Sequence, residues 1–244
     1  MVTGKSHIIS QLQKDILTLQ GLHAPKPGKE INFGLGPVNA SFPNNCFPLA
    51  AIHEFVSDGI ESTAATGGFI SALLAALMHK GGACIWVSAS RKVFPPGLAY
   101  YGIQPDRVIF VDLKKEKEVL WAMEEALKCA GLAAVIAEIK EISFTDSRRL
   151  QLAVEKSQVT GILLRQQPRN FNTIAAVARW RINAIPSYSV DELPGIGFPR
   201  WNVELIKIRN GKPGSWQMEW AAGKFRHFSP IISSLPQEQN RKTG

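Results

Sequence analysis

The sequence predicts a mixed α/β fold: a mostly parallel sheet covered by helices, an antiparallel carboxy-terminal extension and a separate amino-terminal helix. Three observations lead there. Between Leu49 and Leu164 short apolar runs alternate with helix-length segments, as in parallel strands joined by crossovers. In Val177–Ile182 and again in Trp216–Trp220 apolar and polar residues alternate, with Trp201–Arg209 a long strand between them and Asn210-Gly211 opening a turn, which marks paired antiparallel strands. Near the start, Ile8, Leu12, Ile16 and Leu19 are spaced by 4, 4 and 3, and such spacing lines one face of a helix.

In chain order, an amphipathic helix is expected over Ser6–Leu22, capped by Ser6, within an amino-terminal unit 1–24. Residues 25–48 (PKPGKE, FGLGP, FPNN) are rich in Pro, Gly and Asn and are expected to form a linker or irregular arm. The core is expected over 49–228. Its first strand is Ala51–Ser57, followed by a Gly-flanked loop and an apolar helix over Gly68–Met78. Further strands are expected at Ala83–Val87, Val108–Val111, Ala133–Ile139 and Gly161–Leu164, with helices near Pro96–Tyr101, Glu116–Lys128 and Asp146–Ser157. Val177–Ile182, Trp201–Arg209 and the Trp216-Met218-Trp220 segment form the antiparallel extension, with Trp180, Trp201, Trp216 and Trp220 as its core. Residues 229–244 read as a polar, flexible tail.

Composition narrows the function classes. The chain has 244 residues, 45% of them hydrophobic and 20% charged, enough to bury a core without staples. Its 3 cysteines are widely spaced, which argues against a disulfide framework or a zinc site. No window approaches the roughly 18 uninterrupted apolar residues of a membrane span, and no signal-peptide core forms at the start, so a cytoplasmic location is expected. The net charge of +8 suits polyanions or acidic protein surfaces as well as plain solubility.

Most chemical motifs are absent. His53-Glu54 opens like HExxH, but Ser57 holds the second histidine's place, so no metal pair forms. Gly34-Leu35-Gly36 precedes a proline and no helix, unlike a dinucleotide fingerprint. Glu124-Glu125 and Asp191-Glu192 read as solvated charges, and no GxSxG elbow occurs.

The informative segment is Asp58–Phe69, DGIESTAATGGF. Strand, glycine-flanked loop and apolar helix follow in the order that a P-loop uses, GxxxxGK[ST]. From Gly59 the residues read GIESTAAT: Gly59 and Thr66 match, whereas Ala64 and Ala65 stand where glycine and lysine belong. GIESTAATG closely resembles the phosphate loop GPESSGKTT of the RecA recombinase. More specifically, several segments resemble the ImuA family, RecA-like proteins of bacterial mutagenic-repair operons. They are IISQLQKDILTLQG, IHEFVSDGIESTAATGGF, CIWVS with PPGLAYYGIQPDRVIFV, LWAMEEALKCAGLAAVIAE and VELIKIRNGKPGSWQMEW, which together cover residues 8–228.

The resemblance implies a RecA-like core with a vestigial nucleotide loop formed by Gly59, Glu61, Ser62, Thr63, Ala64, Ala65 and Thr66. Trp86–Ser90 carries Ser88 and Ser90 where RecA proteins hold a catalytic acid. Glu138 falls at the metal-supporting acidic position, and Gln166 at the nucleotide-sensing glutamine. With lysine, second glycine and catalytic acid all replaced, ATP hydrolysis is not expected, nor is a cofactor, bound ATP or a metal. The gaps Lys140–Asp146 and Gln167–Thr173 are short for DNA-gripping loops, so Arg148, Arg149, Arg165 and Arg169 are expected to form a solvated basic rim with at most weak DNA contact.

Ile8, Leu12, Ile16 and Leu19 suit docking on a neighbouring RecA-type core or packing on this chain's own sheet. Partners implied by the resemblance are RecA, an ImuB-type polymerase-like protein and an error-prone replicative polymerase subunit. Two alternatives carry different expectations: a cell-division inhibitor like SulA that binds FtsZ, and a residual ATP-binding switch.

Overall fold

A computed structural model describes residues 11–12, 31–79, 81–187 and 197–228. Of the amino-terminal helix it describes Gln11 and Leu12, both helical and exposed. Ile8, Ile16 and Leu19 lie outside the described residues, as do the tail 229–244 and Asp191-Glu192.

Among the described residues nine strands form one sheet: β1 (Ile52–Ser57), β2 (Ala83–Ser88), β3 (Val108–Asp112), β4 (Leu132–Ile139), β5 (Thr160–Gln166), β6 (Ala178–Ile185), β7 (Arg200–Ile208), β8 (Gly214–Ala221) and β9 (Lys224–His227). Their spatial order is β3-β2-β4-β5-β1-β6-β7-β8-β9. All pairs from β3 to β6 are parallel, and β6 to β9 are antiparallel. The mixed α/β class and the antiparallel extension are as the sequence predicts. Parallel strands are buried on both faces, which is why β4 and β5 carry the apolar runs LAAVIA and GILL.

Helix α1 (Ile60–Met78) covers one face, and α2 (Glu116–Leu127) and α3 (Phe144–Ser157) cover the other. Ser143 caps α3: its hydroxyl accepts from the Asp146 amide at 3.0 Å and donates to the Asp146 carboxylate at 2.6 Å, satisfying an orphan helix amide. α1 is long and apolar enough to pass for a membrane span, but Phe69, Ile70, Leu73 and Leu74 are fully buried against the sheet. Its apolarity is that of a core helix. The segment Pro95–Tyr101 is 3-10 helix.

In the described part of the stretch expected to be a linker, 31–48, Phe33, Leu35, Val38, Phe42 and Phe47 are buried in the α1-side core. Its turns are 3-10 helix, Gly36–Ser41 and Pro43–Asn45. Phe42 and Phe47 pack around Trp180 with centroids 5.8 and 6.3 Å away, and Phe55 stacks on it at 5.8 Å. The Pro and Gly content set the irregular backbone there, and the interspersed aromatics bind it to the core.

Candidate functional site

Strands β1, β2 and β5 end at Ser57, Ser88 and Gln166, and β4 one residue past Glu138. Ligands of open α/β sheets gather at such carboxyl ends, and the residues singled out in the sequence meet there. The structure corrects one local expectation. No loop separates β1 from its helix until Gly68; α1 begins at Ile60, so Glu61 to Thr66 are helical.

Side chains finish the closure. The Ser62 hydroxyl accepts from the amides of Asp58 at 3.0 Å and Gly59 at 2.9 Å and donates to the Gly59 carbonyl at 3.1 Å. The Thr63 amide donates to the same carbonyl at 3.0 Å, as does the Thr63 hydroxyl at 2.7 Å. Thr66 is fully buried; its hydroxyl donates to the Ser62 carbonyl at 2.6 Å and lies 3.1 Å from the Ser57 hydroxyl. Gly59 is extended, with φ −164°, a conformation open to any residue. The amides of Asp58, Gly59 and Thr63 are thus engaged within the protein. The cause is in the sequence: Ala64 and Ala65 are strong helix formers at positions where glycine would favour an open loop.

Glu138 lies at the inner end of the site, 5% exposed. Trp86 Nε1 donates to one carboxylate oxygen at 2.7 Å, and Gln166 Nε2 to the other at 2.9 Å. Burial pushes its carboxyl above the usual range, against the pull of these hydrogen bonds. Glu138 and Gln166 are therefore brought together, as partners of one another. Ser88 stands beside Glu138 in register, and its buried hydroxyl has no hydrogen-bond partner among the described residues. Ser90 is exposed beyond the strand.

Between the first turns of α1 and the segment around Pro95–Tyr101 opens a cleft of about 700 Å³. Trp86, Leu98, Tyr101 and Leu164 give it apolar walls, with Glu138 and Gln166 among its lining. Burial and the neighbouring Tyr100 push the Tyr101 hydroxyl up to about 12. A Cβ at Gly68 would meet the Tyr101 hydroxyl at 2.5 Å, so any larger residue there would require Tyr101 to shift. Among the described residues no group of three His, Cys, Asp or Glu side chains could hold a metal ion.

The opposite face holds a feature that the sequence reading missed. Arg165, expected on a solvated basic rim, is fully buried, and so is Glu54. Arg165 donates to Glu54 at 2.7 Å, Glu141 at 3.0 Å, Asn172 at 3.3 Å, and the carbonyls of Asn170 at 2.9 Å and Lys140 at 3.2 Å. Arg179 closes the second Glu54 oxygen at 2.5 Å. The Arg169 amide donates to Glu141 at 2.6 Å. This lattice holds down the connections after β4 and β5. Arg149 and Arg148 are exposed and pair with Glu124 at 2.7 Å and Glu155 at 3.7 Å. A charge inside the runs IHEFVS and GILLRQ was the available signal, because charges are almost never buried unless paired.

Comparison with known proteins places this arrangement. No family model matches the chain. Protein ImuA of Caulobacter vibrioides (strain NA1000 / CB15N) is 36% identical over 228 residues, spanning 88% of this chain and 93% of its own length. The same protein of strain ATCC 19089 / CIP 103742 / CB 15 gives the same figures. The chain belongs to the ImuA family. ImuA membership supports a role in mutagenic DNA repair. The cell division inhibitor SulA of Photorhabdus laumondii subsp. laumondii is 28% identical over 95 residues, covering 39% of this chain and 54% of SulA. That likeness is partial, whereas the ImuA likeness spans 88% of the chain.

Proposed function

We propose that this chain is a non-catalytic, RecA-like accessory protein of translesion, mutagenic DNA repair in the cytoplasm. It acts by protein contact with RecA and with an ImuB-type polymerase-like protein and its error-prone polymerase subunit. The observation that carries this reading is the helical closure at Gly59 in a chain of the ImuA family. Phosphoryl transfer is catalysed by positioned amides, cations and a water-orienting group aimed at the phosphate. Here Ser62 accepts from the Asp58 and Gly59 amides, Ala65 stands in the lysine's place, and Glu138 is engaged by Trp86 and Gln166. A subunit with such a site influences a partner by binding it. Leu12, 54% exposed, belongs to the apolar stripe with Ile8, Ile16 and Leu19 that suits docking on a RecA-type core. The tied-down connections after β4 and β5 leave little reach for gripping DNA.

Surface-immobilised RecA and ImuB-type protein, titrated with the full chain, test this reading. Saturable binding is expected, weakened by Leu12→Glu with Ile16→Glu, together with no ATP turnover by the chain alone. Turnover by the chain, or no binding to either protein, would overturn it. The partial SulA likeness motivates a second reading, inhibition of FtsZ, for which loss of FtsZ GTPase activity on adding the chain is the test.

A further inference from the structure

The cleft beside α1 is not explained by a lost nucleotide site alone. At about 700 Å³ it falls within the range of about 300–1,000 Å³ in which ligand sites lie. Its walls are apolar, and the large apolar side chains Ile60 and Phe94, which also line it, are 87% and 70% exposed. Exposed apolar groups rimming a cleft mark an interaction site. A ligand confined to the cleft would leave both side chains in water, so the occupant they fit extends beyond the mouth. Among the described residues the cations at that mouth are Lys92 and Lys140, both exposed. The one carboxylate of the lining among the described residues, Glu138, is buried and hydrogen-bonded to Trp86 and Gln166.

We propose that this cleft is a docking slot for a short acidic segment of a protein partner, one bulky apolar side chain entering against Trp86 and Leu98 while carboxylates beside it lie on Lys92 and Lys140. Apolar anchors in desolvated pockets carry most of a contact's affinity, and complementary rim charges set its rate and selectivity. The slot rests on the protein-contact reading above and says which surface that contact uses.

The test is a selection from a displayed library of random peptides on the full-length chain, followed by titration of the recovered peptides. Three variants are compared: Ala64→Trp, which fills the mouth from the exposed face of α1; Lys92→Glu with Lys140→Glu; and Lys224→Glu on β9 as a control. Circular dichroism melting confirms that each is folded. Recovered peptides should share a large apolar residue next to Asp or Glu. Their affinity should fall at least about tenfold on reversing the two lysines, vanish in Ala64→Trp, and stay unchanged in Lys224→Glu. Peptides without that pattern, equal binding to all variants, or displacement by ATP would overturn the proposal. Recovery only when Leu12→Glu and Ile16→Glu are present would assign the slot to the chain's own amino-terminal segment and also overturn it. RecA or ImuB-type binding that the mouth variants leave intact sinks the slot alone. Failure of the wild-type chain to bind either protein counts against the wider reading.

Discussion

Replacing Arg165 by methionine should cost the fold about 3–5 kcal/mol, the usual penalty for removing one member of a buried pair. The structure says why the loss is at the high end for a single side chain. Arg165 is fully buried and makes five hydrogen bonds, two of them to the carboxylates of Glu54 and Glu141. Methionine fills much of the volume but leaves Glu54, 1% exposed, with Arg179 as its remaining cation. Removing both charges relieves a carboxylate left with Arg179 alone. Arg165→Met with Glu54→Gln should therefore lose about 2 kcal/mol less than the sum of the single changes. Urea unfolding followed by tryptophan fluorescence measures this. For a slope of about 3 kcal/mol/M, the single variant's midpoint should drop by about 1 M or more. Hydrogen exchange should quicken at Arg169, whose amide is held by Glu141. A loss below about 1 kcal/mol, or strict additivity, would refute the claim that this pair ties down the loops.

Other consequences follow from the same contacts. Restoring the phosphate-loop residues with Ala64→Gly and Ala65→Lys should give no calorimetrically detectable ATP binding, because the segment is closed into α1 with the Asp58, Gly59 and Thr63 amides engaged; the glycine alone should cost about 1 kcal/mol. Ser62→Ala should cost about 1 kcal/mol in thermal or urea unfolding by uncovering the Asp58 and Gly59 amides. His53 is buried, and burial lowers its pKa to about 4 despite its bond to the Pro48 carbonyl. The unfolded chain takes up this proton near pH 6.5 and the native chain does not until about 4. Stability should thus fall by about 3 kcal/mol from pH 7 to pH 4 through this group, and His53→Phe should flatten that part of the pH profile.

The fold was legible wherever one periodicity ruled. The β4 and β5 runs and the Trp216-Met218-Trp220 alternation each allow a single packing, so strand type and the switch to antiparallel pairing followed from pattern. Two features were hidden for physical reasons. Phe33, Phe42 and Phe47 lie among Pro, Gly and Asn residues, so local composition spoke for a linker while burial is decided by the distant Trp180. The start of α1 was obscured because Gly67-Gly68 look like loop residues. A helix tolerates them when alanines precede them and Tyr101 packs against Gly68. In the site, Glu138 and Gln166 were found by resemblance, but their direct hydrogen bond needed the register of β4 against β5. The Glu54–Arg165 pair, 111 residues apart in sequence, needed the topology.

The DNA-dependent ATPase of cognate RecA on single-stranded DNA, titrated with this chain, bears most directly on whether it modulates a partner by contact alone. Loss of RecA turnover at substoichiometric chain, with none by the chain itself, is the predicted result, and Leu12→Glu with Ile16→Glu should weaken the effect. Unchanged RecA activity at saturating chain would contradict RecA as a direct target, and ATP turnover by the chain would contradict the closed site.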